Sequence, residues 1–396
     1  MIPLDEARTR LLEEIEPLAP VTLPAAEAGG RILAEPMEAR LTHPPLDVSA
    51  MDGYAVRSGD LGAAPAQLRL VGESAAGHVM DRPLGEGEAA RISTGAAVPD
   101  DADQVVIQEN AERKADLVLL RDGPRPGAHI RRAGSDFAEG ERLLPAGARL
   151  NADAAGLAAS AGVTELQVQP APRIGLLATG DELVEPGETP GPGQIINSVS
   201  KGLAVLVRDH GGIAVDLGVA RDDEADVRRA LGRAAEVDLL VTIGGASVGD
   251  HDHLRRVFAE LGGRLWFEKI AVKPGKPSWA GSLDSRPVLG LPGNPVSALV
   301  LARLLLLPAI GRLEDAPRRA VFHRAPLAAP LPAGGPRETF LRARFFAETG
   351  RLAPMPKQDS GALAEMAQAD ALIRRPIGAP AAETGEMAEY LALDGR

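Results

Sequence analysis

The sequence predicts a multidomain protein of mixed α+β and α/β class, built around one doubly wound α/β domain. Three observations predict this architecture. The chain has 396 residues, which is more than a typical single domain contains. Strand and helix patterns alternate regularly in its second half. Short apolar runs between Gly, Pro and Asp clusters precede and follow that part, a texture typical of β-rich regions.

The α/β domain is assigned to residues 172–317. Its predicted strands are nearly continuous apolar runs, a composition typical of parallel strands covered on both faces. Helices that end at Gly pairs or begin at Pro separate them. The predicted strands are residues 173–179, 213–219, 238–243, 265–271 and 288–291, and the predicted helices are residues 197–210, 222–235, 252–261 and 295–307.

Three further regions surround this domain. Residues 3–16 carry apolar side chains at the helical period and predict an amphipathic helix. Residues 136–168 predict a helix and a short strand, which could pack with this N-terminal helix. We therefore expect an elongated linker or dimerisation domain, an inserted β-rich domain and a small C-terminal β domain, comprising residues 1–40 with 137–171, residues 41–136 and residues 318–396.

Composition excludes several classes of protein. The net charge of −12 argues against nucleic-acid binding, which needs a basic face. The absence of Cys excludes disulfides, thiolate metal sites and thiol nucleophiles. The first 16 residues contain early acids and no apolar run, so we expect no signal peptide. The longest apolar stretch, residues 296–310, contains Arg303 and Pro308 and predicts a buried helix, so we expect a cytoplasmic protein without membrane contact.

Polar, Gly-containing loops follow three of the predicted strands. The carboxyl ends of parallel strands meet at one edge of a sheet, so these loops should converge there. Glycine lets the backbone approach a ligand closely, and the helix after the last loop adds its positive N-terminus. One Gly pair after a strand is usually only a turn, but three such loops at one edge favour a ligand site. The loops are residues 179–182, 244–252 and 292–295.

The lysine residues are concentrated in one short part of the chain. Only six of the 43 basic residues are Lys, and three of the six are Lys269, Lys273 and Lys276. The Lys-Pro-Gly-Lys-Pro loop at residues 273–277 is either a stiff exposed turn or a pair of ammonium groups that face a phosphate or another oxyanion. We favour the second interpretation, because half of all Lys residues lie within residues 269–276.

Carboxylates lie beside the same loops. Glu182, Asp250 and Asp252 share the predicted edge. Acids next to phosphate-binding loops suggest a hard cation, most simply Mg²⁺. For Asp252, an N-cap of the following helix is an equally good interpretation.

Nine segments together resemble the molybdopterin molybdenumtransferase family, which comprises MoeA-like proteins and the corresponding domain of gephyrin. They occur in the family's order and span most of the chain. Ile243, Ala246 and Trp279 depart from the usual family pattern. The segments are residues 44–55, 91–96, 134–136, 179–183, 244–252, 273–277, 291–297, 340–343 and 358–361.

The resemblance implies an elongated homodimer of four-part subunits, whose α/β domain is similar to the molybdopterin adenylyltransferase fold (MogA/MoaB-like). It implies an active site between the α/β domain of one subunit and the N-terminal domains of the other. The implied reaction is a step of molybdenum cofactor biosynthesis. Adenylylated molybdopterin and molybdate react with the help of Mg²⁺, AMP is released, and molybdenum remains on the pterin dithiolene. A separate molybdopterin adenylyltransferase is then an expected partner.

The resemblance also implies roles for individual residues. Catalytic carboxylates are expected at Asp52, Asp136, Glu182 and Asp252, of which Glu182 and Asp252 are the expected Mg²⁺ ligands. Lys276, Arg342, Ser247 and Ser360 are candidate donors to the molybdate dianion. The full set of expected substrate-binding residues is Thr94, Gly244, Gly245, Ser247, Lys273, Lys276, Pro292, Gly293, Asn294, Arg342 and Ser360.

Two other functions remain open at this point. A non-catalytic pterin carrier or scaffold could use the same fold, since fold does not determine function. Such a scaffold has no need of Asp52, Thr94, Asp136 and Glu182, and all four are present. A molybdopterin adenylyltransferase would need only the α/β domain, and this chain contains three regions more.

Overall fold

The computed structural model describes residues 1–62, 64–245, 253–318 and 320–393. The chain forms two compact units. The first unit comprises Met1–Val21 and Gln169–Arg396, and the second comprises Thr22–Val168.

The N-terminal helix belongs to the first unit. Helix α1 (Leu4–Glu13) is amphipathic, as its periodicity predicts, and it buries Leu4, Ala7 and Leu11 in the core that contains the α/β elements. The chain on both sides is hydrogen-bonded into the same unit, because Leu18 N–H donates to the Leu313 carbonyl and Ile2 forms a bridge with Ile270. Helix α1 is therefore part of the core of the first unit.

The second unit consists mostly of short strands. A six-stranded sheet in the order β8-β5-β7-β6-β10-β9 is its main element, and a three-stranded sheet, β1-β13-β2, and the pairs β11-β4 and β12-β3 complete it. The elements are β1 (Val21–Pro24), β2 (Ile32–Leu33), β3 (Met37–Glu38), β4 (Val48–Ser49), β5 (Gly53–Val56), β6 (Ala66–Ser74), β7 (Glu88–Ile92), β8 (Gln104–Ile107), β9 (Ala111–Lys114), β10 (Leu117–Leu120), β11 (Ile130–Arg131), β12 (Arg142–Leu144), α2 (Ala152–Ser160) and β13 (Glu165–Gln169).

The local sequence explains two features of this unit. Gly53 starts β5 against β8, where a Cβ would lie 2.0 Å from the Val106 carbonyl oxygen, so only Gly allows this pairing. Helix α2 begins after Asn151, whose side chain accepts a hydrogen bond from Ala154 N–H as an N-cap. The β-rich texture predicted for residues 41–136 is confirmed.

The α/β part of the first unit is a six-stranded sheet in the order β17-β14-β18-β22-β21-β19. Its first four strands are parallel to one another, and β21 is antiparallel to both of its neighbours, β22 and β19, so β19 runs in the same direction as the first four. The elements are β14 (Arg173–Thr179), β15 (Leu183–Val184), β16 (Ile195–Ile196), α3 (Val199–Asp209), β17 (Ile213–Ala220), α4 (Glu224–Arg233), β18 (Leu239–Ile243), α5 (His253–Glu260), β19 (Arg264–Glu268), β20 (Val272–Lys273), β21 (Trp279–Leu283) and β22 (Arg286–Leu291).

Strand β21 was not predicted, since Ala280 and Gly281 give it little strand character. Its Trp279 is fully buried and packs edge-on against Phe258, with 5.0 Å between the ring centroids. Gly290 on the neighbouring strand leaves the space for this ring, because a Cβ there would lie 1.9 Å from the indole nitrogen. Trp279, which departs from the usual family pattern, therefore fills space in the core.

The most apolar segment is a core helix, as expected. It consists of α6 (Pro295–Leu301), a π-helical stretch (Ala302–Leu306) and α7 (Leu307–Leu313). Its length and composition would allow it to cross a membrane, but most of its residues are buried inside the first unit.

The C-terminal part of the first unit is a sheet in the order β20-β24-β26-β27-β23, with β25 paired to β24. The β-rich texture predicted after Pro317 is thus confirmed, and with it the mixed fold class. The finer division of the chain into four domains stays a prediction. The elements are β23 (Phe322–Pro326), β24 (Glu338–Phe346), β25 (Arg351–Pro354), α8 (Leu363–Gln368), β26 (Ala371–Arg375) and β27 (Met387–Ala392).

Candidate functional site

The three polar loops meet at one edge of the α/β sheet. Strands β14, β18 and β22 are neighbours and run parallel, so their carboxyl ends lie side by side. The loops after them line a cavity of about 780 Å³, which we call the rim cavity. Of the predicted substrate-binding residues, it is lined by Gly244, Gly245, Lys276, Pro292, Gly293 and Asn294.

Backbone forms part of the cavity wall because the glycines pack closely. Gly244 has φ +89°, and a Cβ there would lie 2.7 Å from the Thr179 carbonyl oxygen. Gly245 also has a positive φ, +56°. A Cβ at Gly293 would lie 3.6 Å from Gly244 Cα. Main-chain groups can therefore contact a ligand here without intervening side chains.

Two helices begin at the rim cavity, and both N-termini lack acids. Ser198 and Val199 start α3, and Asn294 and Pro295 start α6; all four line the cavity. Neither first turn contains an acid, and neither N-cap side chain accepts a backbone hydrogen bond from its helix. Helix α4, by contrast, is capped by Asp223 and has acids in its first turn. The positive end of α3 therefore remains available to an anionic ligand, whereas at the start of α6 Pro295 has no N–H and the Val296 N–H donates to the Ser360 carbonyl.

The lysines of the 269–276 cluster have different positions. Lys276 lines the rim cavity, as predicted, and so does Lys269, which the sequence analysis counted but did not select. Lys273 is exposed on β20, where it pairs with Thr339 of β24, and it does not line the cavity. The signal for Lys269 was its position directly after β19, which runs in the same direction as β14, β18 and β22 and therefore ends at the same edge.

Among the residues that the structure describes, two carboxylates line the cavity. Glu182 is one, and its carboxylate lies over Gly180, where a Cβ would approach it to 2.3 Å. Asp222, which the sequence analysis missed, is the other. It follows β17, the fourth parallel strand, so the strand-end rule could have found it.

Metal binding was expected at Glu182 and Asp252. Asp252, Asp250 and Ser247 lie outside the described residues. Across the described ranges, no group of three or more His, Asp or Glu residues is placed to hold a metal ion. Mg²⁺ commonly uses only one or two carboxylates and completes its shell with water and substrate phosphates. The Glu182 and Asp222 oxygens fit that type of site.

Residues 357–360 lie beside the start of α6, which is hydrogen-bonded to Ser360. The Ser360 carbonyl accepts from Val296 N–H, and Asn294 Nδ2 donates to Ser360 Oγ over 3.1 Å. Arg342 is only 1% exposed and does not line the cavity. Its Nη2 donates to the Lys357 carbonyl (2.6 Å) and to the Asp359 carbonyl (3.0 Å). Burial lowers the pKa of Arg342.

The remaining predicted residues lie in the second unit. Asp52 Oδ1 accepts from Thr94 N–H (2.7 Å) and from Thr94 Oγ1 (3.1 Å), and these bonds lower the pKa of Asp52. Asp52 and Thr94 are therefore one hydrogen-bonded pair with an ionised carboxylate, since both bonds favour the charged form. Asp136 is exposed, and its backbone N–H donates to the His43 carbonyl.

The site and fold can now be compared with known proteins. Three family descriptions match successive parts of the chain: "MoeA N-terminal region (domain I and II)" over residues 2–162, "Probable molybdopterin binding domain" over residues 175–312 and "MoeA C-terminal region (domain IV)" over residues 324–393. The molybdopterin molybdenumtransferase of Nostoc sp. is 34% identical over 92% of this chain and 87% of its own length. The chain belongs to the molybdopterin molybdenumtransferase family.

Other members of the family are equally similar. Molybdopterin molybdenumtransferase 2 of Mycobacterium tuberculosis is 35% identical, over 94% of this chain and 95% of that protein. A crystal structure of the molybdopterin biosynthesis MoeA protein from Pyrococcus horikoshii superposes with a TM-score of 0.86 at 31% identity, covering 100% of both chains. The resemblance read from the motifs is thus confirmed, and the protein is an enzyme of the transferase class.

Proposed function

We propose that this protein transfers molybdenum from molybdate to adenylylated molybdopterin and releases AMP in a Mg²⁺-dependent reaction. The observation that carries the proposal is the rim cavity. The acid-free N-terminus of α3 and two lysines face it together with two carboxylates. This combination of donors suits a ligand that contains phosphates and a divalent cation. Family membership supports the same substrate class.

The cavity residues divide into two groups in this proposal. The phosphates would lie against the backbone of Gly244 and Gly245 and the start of α3, while Lys269 and Lys276 balance their charge. Molybdate is a tetrahedral dianion and needs several hydrogen-bond donors. Asn294 and Ser360 are hydrogen-bonded to each other beside the cavity and can supply such donors. Arg342 would act through the carbonyls that hold Ser360 in place.

Glu182 and Asp222 would hold Mg²⁺ together with the substrate phosphates. The ion would neutralise the charge that develops as the phosphoanhydride bond breaks. Asp52 and Asp136 stay in the proposal as catalytic carboxylates contributed by the second unit. The Thr94 bonds lower the pKa of Asp52 and favour its charged form, which suits this carboxylate to orient a cationic group rather than to act as a base.

The activity test mixes the purified protein with adenylylated molybdopterin, molybdate and Mg²⁺, and measures AMP by chromatography. We expect stoichiometric AMP release and formation of a cofactor that activates a molybdenum-free apoenzyme. Pterin binding without AMP release would favour the carrier function instead. Consumption of ATP to adenylylate molybdopterin would favour the adenylyltransferase function.

Glu182→Gln tests the carboxylate role within this assay. The variant should lower kcat roughly 100-fold, because charge stabilisation is lost mainly in the transition state, while KM changes little. Glu236→Gln is the matched control, since Glu236 is exposed and lies outside the cavity. Equal losses of kcat in both variants, or a change in KM alone for Glu182→Gln, would contradict a role of the Glu182 carboxylate in stabilising the transition state.

The resemblance also supports a homodimer in the cytoplasm that receives its substrate from a separate molybdopterin adenylyltransferase. Light scattering of the purified protein should give twice the chain mass. A monomer with full activity would exclude an active site shared between two subunits.

A further inference from the structure

The side chain of Gln358 is bound to the main chain of two other residues by three hydrogen bonds. Its Oε1 accepts from Arg342 N–H over 3.0 Å, and its Nε2 donates to the carbonyls of Arg342 (2.9 Å) and Met355 (2.8 Å). These bonds use most of the hydrogen-bonding capacity of a side-chain amide. The regular pairing of β24 with β25 ends at Ala343 and Pro354, and the Gln358 amide continues it at the neighbouring residue of β24, Arg342.

The side chain of Arg342 makes the opposite connection. Its Nη2 donates to the carbonyls of Lys357 (2.6 Å) and Asp359 (3.0 Å), which flank Gln358 in the chain. Arg342 is 1% exposed, and a buried cation is costly unless hydrogen bonds compensate for the lost water. Each of the two side chains thus binds the main chain at or beside the other residue. We call the three bonds of Gln358 and the two of Arg342 the 342–358 clasp.

Ser360 connects the clasp to the start of α6. It follows Asp359, the last residue that the clasp holds. Its Oγ accepts from Asn294 Nδ2 (3.1 Å), and its carbonyl accepts from Val296 N–H (3.0 Å). Asn294 lines the rim cavity. Because a hydroxyl oxygen can accept one bond while its own O–H donates another, Ser360 is able to donate to an anion beside Asn294.

The turn that contains Ser360 begins at the clasp. Asp359 Oδ1 accepts from Gly361 N–H (2.8 Å), and the Asp359 carbonyl accepts from Ala362 N–H (3.2 Å). The same Asp359 carbonyl accepts from the Arg342 side chain. The place of the Ser360 hydroxyl therefore depends on Gln358, although Gln358 does not itself line the rim cavity.

The placement of such donors matters for a tetrahedral dianion, which several hydrogen bonds must hold at once. Donors that are fixed before binding lose less entropy when the anion arrives, so a rigid loop binds it more tightly than a loose loop does. A glutamine amide suits this task, because it supplies both a donor and an acceptor to the main chain and carries no charge that would repel the anion.

We propose that Gln358 is a positioning residue for the oxyanion: it contacts no substrate, and through the 342–358 clasp it sets the place of the Ser360 hydroxyl and hence the affinity for molybdate. The inference rests on the proposed function, because it requires molybdate to bind beside Asn294 and Ser360. A residue needed only for stability would affect both substrates alike, whereas a residue that places one donor affects molybdate alone.

The test measures AMP release while either molybdate or adenylylated molybdopterin is varied. Gln358→Met has nearly the same size but cannot form the three bonds of the amide. It should raise KM for molybdate about tenfold, the effect of one net hydrogen bond, and change KM for adenylylated molybdopterin by no more than about twofold. Gln368→Met is the matched control and should resemble the unchanged protein, since Gln368 is exposed at the end of α8.

A second substitution separates positioning from stability. In a Ser360→Ala background, Gln358→Met should raise KM for molybdate by at most about twofold more, because two changes that act through one group are not additive. Should Gln358→Met fail to fold, Gln358→Asn provides another variant. Its side chain is one methylene too short for all three bonds, so it should raise KM for molybdate severalfold.

The outcomes distinguish this inference from the proposed function. An unchanged KM for molybdate in a folded variant of Gln358, equal increases in KM for both substrates, or full additivity with Ser360→Ala would overturn the inference alone. Absence of AMP release by the unchanged protein would overturn the proposed function, and the inference with it.

Discussion

Gly244 is glycine for two separate physical reasons. Its φ of +89° is a conformation that L side chains rarely adopt, and a Cβ would also approach the Thr179 carbonyl oxygen to 2.7 Å. Gly262 has nearly the same backbone conformation, φ +84°, but no atom lies within 4 Å of the position of its Cβ. The two glycines thus separate backbone strain from steric contact.

This pair gives a prediction at the scale of single residues. Gly262→Ala should lower the free energy of unfolding by about 1 kcal/mol, the cost of the left-handed conformation. Gly244→Ala should lower the free energy of unfolding by at least about 1 kcal/mol more than Gly262→Ala does. It should also weaken AMP binding at the rim cavity, because the added Cβ forces the cavity wall to move. Urea unfolding and calorimetry with AMP measure the two effects. Equal stability losses, with AMP affinity unchanged in both variants, would contradict the steric argument.

Individual side chains were only partly predictable. Lys276 and Glu182 line the rim cavity as the motifs suggested, because both lie at or near strand ends. Lys273, from the same motif as Lys276, does not line it, and neither does Arg342 from the motif at residues 340–343. Motif membership specifies residue type and spacing. The direction of a side chain depends on pairing such as that of β20 with β24, which is set by residues far away in the sequence.

At the scale of elements, the segment 183–196 forms one side of the rim cavity. Leu183, Ile195 and Ile196 line it, and Ile195 is 57% exposed. Lys201 of α3 contacts this segment, since its Nζ lies 2.7 Å from a Glu185 carboxylate oxygen and 2.7 Å from one of Asp216. Hydrogen bonds to these two acids raise the pKa of Lys201, and the Lys201 ammonium group in turn lowers the pKa of Glu185. The Lys201 ammonium group thus joins α3, the segment 183–196 and strand β17, which contains Asp216.

Lys201→Met should loosen this segment. Without the ammonium group, Glu185 and Asp216 repel each other, and amide hydrogen exchange over residues 183–196 should become about two- to fivefold faster. KM for the substrate should rise, while the melting temperature should change little, because exposed ion pairs contribute at most about 1 kcal/mol. Lys201→Arg is the matched control and should restore slow exchange. Unchanged exchange in Lys201→Met would show that other contacts hold the segment.

Elements were predicted well where their pattern was long and periodic. The helix at 197–210 and the strand at 173–179 appear as α3 and β14, with ends shifted by at most two residues. Strand β21 was missed because small residues hide its pattern, and its strand character comes from pairing with β19 and β22. Local propensity therefore does not predict β21, and the burial of Trp279 in the core helps to stabilise this strand.

At the scale of the whole molecule, each unit has hydrophobic cores of its own. Leu33 is buried in a cluster formed only by residues of the second unit, and Leu289 in a cluster formed only by residues of the first. Separate cores predict separate unfolding, since cooperativity requires shared buried contacts.

Differential scanning calorimetry should therefore show two transitions. Leu33→Ala should lower only one of them, and Leu289→Ala only the other, each by roughly 5–10 °C, the effect of deleting a buried Leu side chain. Val79→Ala is the control, because Val79 is 59% exposed and its truncation should move neither transition noticeably. One transition shifted by both core variants would mean that the chain unfolds as a single cooperative unit.

The sequence by itself determined the fold class, the family, the order of the elements and the loops of the rim cavity. These follow from local periodicity and from the rule that parallel strands present their carboxyl ends at one edge. Only the tertiary structure assigned α1 to the first unit and showed that Arg342 is buried. The place of α1 depends on contacts between residues hundreds of positions apart, such as the hydrogen bond from Leu18 to Leu313, and no local pattern encodes it.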